Sequence, residues 1–167
     1  MKVQHTLQPF YDRHSKVLIL GSMPSVKSRE VGFYYVHPKN RFWKVLSLIY
    51  QEEIEDDITK KQAFLKKHHI ALFDVIQSCE IQGSSDQSIQ NVIPNDLHPI
   101  LEKSQIQAIF TTGQKAYHLY QKYIYPKTKI KAISLPSTSP AYCKKGVLEE
   151  LIQEYQKIIP YTNDSGK

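Results

Sequence analysis

Four short apolar runs rich in β-forming residues recur along the chain, at 17–21, 71–76, 108–112 and 130–135. Each is nearly continuous rather than alternating, and each ends in polar sequence containing Gly, Ser, Pro or Cys. Such runs suit strands buried on both faces of a parallel sheet. Between them the apolar period lengthens to that of a helix. Phe42, Val45, Leu46 and Ile49 fall on one helical face, with Asn40 placed to cap it. Residues 57–68 read as a more polar helix, and Asn95 or Asp96 starts a short one ending near Lys103. Ala116, Leu119, Tyr120 and Tyr123 share a face within 113–123. Leu148, Leu151, Ile152, Tyr155 and Ile159 mark a last amphipathic helix. The alternation predicts an α/β fold, a three-layer α/β/α sandwich around a central, mostly parallel four-stranded sheet. Residues 1–161 read as one domain and 162–167 as a disordered tail. Ligands of such sheets sit beyond the carboxyl ends of the strands. Those ends are 21–25, 74–78, 111–113 and 136–141, so one edge gathers most of the polar sequence.

Charge adds a partner class. The 167 residues carry a net charge of +6 and eleven tyrosines. A basic balance leans toward a polyanion, and tyrosine faces stack on bases. An ordinary lysine-rich solvated surface accounts for the charge alone equally well. The two cysteines, Cys79 and Cys143, are too few for an iron–sulfur cluster or a four-thiolate zinc site. With no apolar leader at the N-terminus and no run long enough to span a bilayer, the expectation is a reduced cytoplasmic protein. A monomer without metal or cofactor is the simplest form. Gly-x-x-x-x-Gly-Lys, Gly-x-Gly-x-x-Gly and Gly-x-Ser-x-Gly are all missing, which argues against nucleoside triphosphate hydrolysis, dinucleotide binding and an α/β-hydrolase serine.

The chemistry concentrates in one stretch. Gly21-Ser22-Met23-Pro24-Ser25 follows the first strand, and Gly32-Phe33-Tyr34-Tyr35-Val36-His37-Pro38-Lys39-Asn40-Arg41-Phe42-Trp43 leads into the aromatic helix. This pair of segments resembles the first motif region of the uracil-DNA glycosylase superfamily. The Gly-Phe-x-x-x-His-Pro-x-Asn-Arg-Phe-Trp portion is similar to the mismatch-specific uracil glycosylases. The Gly-Ser-Met-Pro-Ser form most resembles the hypoxanthine-DNA (deoxyinosine) glycosylases, the sixth family. A second motif, Leu135-Pro136-Ser137-Thr138-Ser139-Pro140-Ala141, falls where the superfamily places its own.

The resemblance implies a DNA glycosylase of base excision repair that extrudes a deaminated base before cutting its glycosidic bond. Hypoxanthine is the first expected substrate. Uracil on the same fold is the alternative, and a DNA-binding module without catalysis is the second. Tyr35 takes the place of the aromatic on which the base stacks, or else is a core tyrosine. Ser22 and Met23 wall the base. The superfamily often has Asp or Asn at the position of Met23, and His or Asn at that of Ser137, so two familiar catalytic groups are missing. The resemblance then assigns catalysis to Asn40. An amide is no base at neutral pH, but it orients water or holds a leaving base; a plain helix cap is its other reading. Asp74 stands where related enzymes read the base with asparagine. Ionised, it only accepts hydrogen bonds, so it suits the N1–H of hypoxanthine or the N3–H of uracil. A structural aspartate is equally open. Ser84, Ser85 and Asp86 are further candidates for the pocket wall. Ser137, Thr138 and Ser139 suit phosphate contacts. Tyr142 is the flat side chain available to fill the gap in a duplex, with Lys144 and Lys145 beside it. Arg41 and Lys39 meet phosphate, or Arg41 is a structural partner. No lysine stands out for Schiff-base chemistry, so a monofunctional enzyme is expected.

Overall fold

The computed structural model describes residues 2–82 and 86–163, with only the backbone of Asp86. In chain order the elements are β1 (Lys2–Gln4), β2 (Val17–Gly21), α1 (Val26–Val31), α2 (Phe42–Tyr50), α3 (Ile58–Lys67), β3 (Ile70–Asp74), β4 (Ile76–Glu80) and β5 (Gln90–Pro94). There follow α4 (His98–Lys103), β6 (Ala108–Thr112), α5 (Gln114–Leu119), α6 (Tyr125–Thr128), β7 (Ala132–Leu135), α7 (Val147–Tyr155) and α8 (Ile159–Thr162). A π-helical turn, Tyr120–Ile124, joins α5 to α6.

The central sheet has four parallel strands in the order β3-β2-β6-β7 and is flanked by helices. Its two inner strands explain the continuous apolar runs: Val17, Leu18, Ile19 and Leu20 are wholly buried, as are Ile109 and Phe110. Side chains there meet protein on both faces, so alternation carries no advantage. α2 packs on α7, α3 on β3, and α5 against β6 and β7. From β2 the chain continues to β3 on one side, and only later to β6 on the other. That reversal opens a crevice beyond the carboxyl ends of β2 and β6.

Three expectations shift in register. The run at 71–76 is not one strand: β3 stops at Asp74, and after Val75 the chain starts β4. Val75 and Ile76 still donate to the carbonyls of Gly21 and Ser22, so the departure happens at the edge of the crevice. The run at 130–135 narrows to β7, and the helix over 113–123 splits at the π turn. A second sheet, antiparallel and ordered β1-β4-β5, has no counterpart in the sequence reading. Its strands are short and half-exposed, so no apolar run marks them. Thr162, expected in the tail, lies in α8, where its hydroxyl meets that of Tyr50 at 2.6 Å. Residues 164–167 lie outside the described residues.

One hydrogen bond ties α7 to the crevice. Tyr155 is fully buried on α7 and its hydroxyl donates to the carbonyl of Pro136, just past β7, at 2.7 Å. Tyr155→Phe leaves the ring and removes the donor. It should cost about 1 kcal/mol, a fall in Tm of roughly 2–4 °C by differential scanning calorimetry.

Candidate active site

A cleft of about 1220 Å³ opens over the carboxyl ends of the parallel strands. Small-molecule sites commonly occupy about 300–1,000 Å³, so the cleft is at the large end of that range or beyond it. Ser22, Met23, Tyr35, Asn40, Asp74, Ser137, Thr138, Ser139 and Tyr142 all line it. Residues up to 120 positions apart in the chain thus meet at one edge, as the strand ends require.

One end of the cleft is built on β2 and β3. Their parallel register pairs Gly21 with Asp74. A Cβ at residue 21 would lie 2.6 Å from Oδ1 of Asp74 and 3.3 Å from the hydroxyl of Tyr35. Gly21 is therefore the condition for both groups to converge. Asp74 is buried, and its Oδ2 lies 2.8 Å from Nε2 of His5. Its backbone carbonyl accepts from the side-chain amide of Asn95 at 2.9 Å.

Tyr35 has φ of +56°, a left-handed backbone uncommon for a tyrosine. Such a conformation costs on the order of 1–3 kcal/mol and persists where packing imposes it. Here the ring stacks on Phe42, centroids 3.9 Å apart and planes 16° from parallel. Burial, then the neighbouring Asp74, push its phenol well above the usual tyrosine range, so it stays protonated. Phe33 packs elsewhere, while Tyr34 also lines the cleft. Phe33 stacks on Trp43 and meets Phe10 edge-on, while the Tyr34 hydroxyl donates to the carbonyl of Gln8 at 2.7 Å.

Asn40 precedes α2 by two residues rather than occupying its cap position, which the backbone of Arg41 takes. Its Oδ1 nevertheless accepts the N–H of Phe42 at 2.9 Å. An Asx turn of this kind satisfies a first-turn donor and stops the amide from flipping. Nδ2 is left to donate, and Oδ1 keeps one lone pair.

Arg41 takes the structural role of its two readings. Its backbone N–H donates to the carbonyl of Thr138. Its Nη1 donates to the carbonyls of Ser139 at 3.1 Å and Tyr142 at 3.0 Å. The guanidinium thus fastens the second motif loop to the start of α2. Inside that loop Ser137 Oγ accepts the N–H of Ser139, and Ser139 Oγ that of Ala141, each at 3.1 Å. Thr138 is buried. Gly113, with φ of +91°, lets β6 leave the sheet close to Ser137, whose Cβ would lie 3.3 Å from a Cβ there. The Tyr142 hydroxyl donates to Glu150 at 2.9 Å, and Lys144 reaches the same carboxylate at 3.3 Å. Lys144 and Lys145 are exposed, as is Lys39. Ser84 and Ser85 lie outside the described residues, and the side chain of Asp86 is not described.

Several cleft residues escaped the sequence reading, among them His37, Gln87, Gln114, Lys115, Glu150 and Glu154. So did His5, which supports the cleft from behind Asp74. The position of His37 inside His-Pro-x-Asn was a usable signal. His5 had none, since only the antiparallel sheet brings it near.

The sequence matches the uracil DNA glycosylase superfamily over residues 8–161. The chain belongs to this superfamily. It is 33% identical over 134 residues to a hypoxanthine DNA glycosylase of Methanosarcina acetivorans, covering 78% of this chain and 82% of that one. It is 33% identical over 110 residues to a hypoxanthine DNA glycosylase of Methanosarcina barkeri, covering 65% of this chain and 70% of that one. A solution NMR structure from M. acetivorans, described as a candidate uracil DNA glycosylase, superposes with a TM-score of 0.77 at 28% identity. That match covers 95% of this chain and 99% of the other. The superfamily fold and the four-stranded parallel sheet thus agree with the expected architecture.

The close approach at Gly21 is testable without any substrate. Gly21→Ala should destabilise the protein by about 1–3 kcal/mol, because the added methyl overlaps a carboxylate that His5 holds. In an Asp74→Ala background the same change should cost less than half as much, read from urea unfolding midpoints.

Proposed function

We propose that this protein is a monofunctional DNA glycosylase that removes hypoxanthine from DNA by hydrolysing its N-glycosidic bond. The observation that carries the reading is the buried carboxyl of Asp74, tied to His5, in a cleft that the pinned amide of Asn40 also lines. The relatives described as hypoxanthine DNA glycosylases support it.

In this reading the deaminated nucleotide leaves the stack and enters the cleft. Its base lies on Tyr35, whose ring Phe42 backs. Asp74 accepts the N1–H of hypoxanthine. Adenine carries no hydrogen at N1 and leaves the carboxylate unanswered, which is costly in a buried site. Ser22 and Met23 close the wall beside the base. Met23 has no proton to give or take, so no side chain there activates water. Asn40 acts at the sugar. As the C1′–N bond lengthens, positive charge grows on the sugar and negative charge on the base. Nδ2 of Asn40 stabilises the departing base, while its remaining Oδ1 lone pair orients the water that attacks C1′. Ser137, Ser139, Lys144 and Lys145 hold the flanking phosphates. Tyr142 fills the space that the nucleotide vacates, once freed from Glu150. The cell interior, where the DNA is, is the place of action. No helix among the described residues is long and apolar enough to cross a membrane.

Duplexes carrying inosine, xanthosine, uracil or an oxidised base, treated with the protein and then with alkali, decide the substrate. Inosine strands should be cut and uracil strands left intact; the reverse result identifies a uracil enzyme, and no cutting a binding module. Asn40→Ala should lower single-turnover release of hypoxanthine by about 10²-fold, while the lost first-turn hydrogen bond lowers Tm by only a few degrees, about 1 kcal/mol. Lys115 is the lysine on the cleft wall, so borohydride should trap no covalent adduct through it. A trapped adduct overturns the hydrolytic mechanism.

A further inference from the structure

We propose that His5 is a positioning residue for base selection: it holds the Asp74 carboxylate in the one orientation that presents Oδ1, as an acceptor, to the extruded base. The inference rests on the reading of Asp74 given above and extends it to a residue outside the span matched to the superfamily, which begins at residue 8.

The side chains of His5 and Asp74 are almost wholly buried, at 2% and 4% exposure. A buried carboxylate needs hydrogen-bond donors, since an unanswered charge is expensive in a low dielectric. Nε2 of His5 supplies one to Oδ2 at 2.8 Å. Among the described residues nothing hydrogen-bonds to Oδ1, the oxygen that faces Gly21 and the Tyr35 hydroxyl. The carboxylate therefore has one committed oxygen and one with accepting capacity at the cleft.

His5 is itself held from several sides. Its backbone N–H donates to the carbonyl of Gln77 on β4 at 2.6 Å. The preceding residues pair antiparallel with β4, Gln4 opposite Ser78. Its ring meets Phe73 edge-on at 5.0 Å and lies 6.4 Å from Tyr34. β4 begins one residue after Val75, next to Asp74, so the small sheet delivers the imidazole to the carboxylate. Without His5 the carboxyl group is free to rotate about χ2, a broad two-fold torsion, and neither oxygen is then held toward the cleft.

The experiment is a double-mutant cycle read as kcat/KM on inosine duplex, with affinity for abasic-site duplex as the check that each variant is folded. Asp74→Ala should lower kcat/KM about 100-fold and His5→Leu about tenfold, while the double variant should be no worse than Asp74→Ala alone. His5→Gln, whose amide nitrogen reaches about as far as Nε2, should stay within about threefold of the unaltered protein. His5→Asn keeps a polar group but falls short of Asp74, so it should behave like His5→Leu and replaces it if leucine abolishes abasic-site binding. Unaltered kcat/KM in both the Leu and Asn variants overturns the inference. So does a loss that adds to that of Asp74→Ala, or a His5→Gln as impaired as His5→Leu, because each marks a role in general packing. Full activity of Asp74→Ala removes the reading of Asp74 itself, and this inference with it.

Discussion

The site depends on the absence of a side chain at residue 21. β2 and β3 run parallel with Gly21 beside Asp74, and a single methyl there would overlap Oδ1 at 2.6 Å. Three segments far apart in sequence converge on that gap: the end of β3, the left-handed turn at Tyr35 and, through Asp74, the N-terminal His5. Each has its own tether. Tyr35 is backed by Phe42, Asp74 by Asn95 through its carbonyl, and His5 by Gln77. The strained backbone at Tyr35 and the buried carboxylate are both unfavourable taken alone. Packing and pairing of these neighbours offset the two costs together.

The sugar end is organised around the start of α2. Asn40 and Arg41 are adjacent and divide the work between them. Asn40 answers the first-turn N–H of Phe42, which fixes which atom of its amide faces the cleft. Arg41 turns away to three carbonyls of the second motif loop. A guanidinium suits this task because its fork meets two carbonyls at fixed angles, which an ammonium does not. The two motifs are thus tied together, and a shift in the loop reaches Asn40 through the backbone and side chain of its neighbour Arg41.

The layers were legible in the amino-acid sequence because buried parallel strands are continuous in apolar character. Runs such as 17–21 and 108–112 need no partner to be recognised. The antiparallel sheet was not legible, since β1 is three residues long and β5 is largely exposed. The same reason hid His5. A histidine near a chain end carries no periodicity, and its meaning comes only from a register set by β4. Arg41 was ambiguous for a different reason: whether an arginine faces phosphate or backbone depends on a loop almost a hundred residues later. Asn40 and Tyr35 stood out because both sit in the dense aromatic motif that carries the resemblance to the superfamily.

In the proposed function, selection and bond breaking fall to different residues. A carboxylate that accepts the N1–H of the base would repel the negative charge that grows on it as it departs. Such an interaction is at best equal in the ground and transition states, which aids capture and choice without lowering the chemical barrier. In that reading the barrier is lowered by the pinned amide of Asn40 instead. Met23 and Ser137 supply no charge that would compete with either task. A site arranged this way can tolerate a weak catalytic group, provided the wrong base is rarely admitted, because the step that discriminates precedes the step that cuts. Keeping the carboxyl group in one orientation is then worth a buried His5–Asp74 hydrogen bond whose net effect on stability alone is modest.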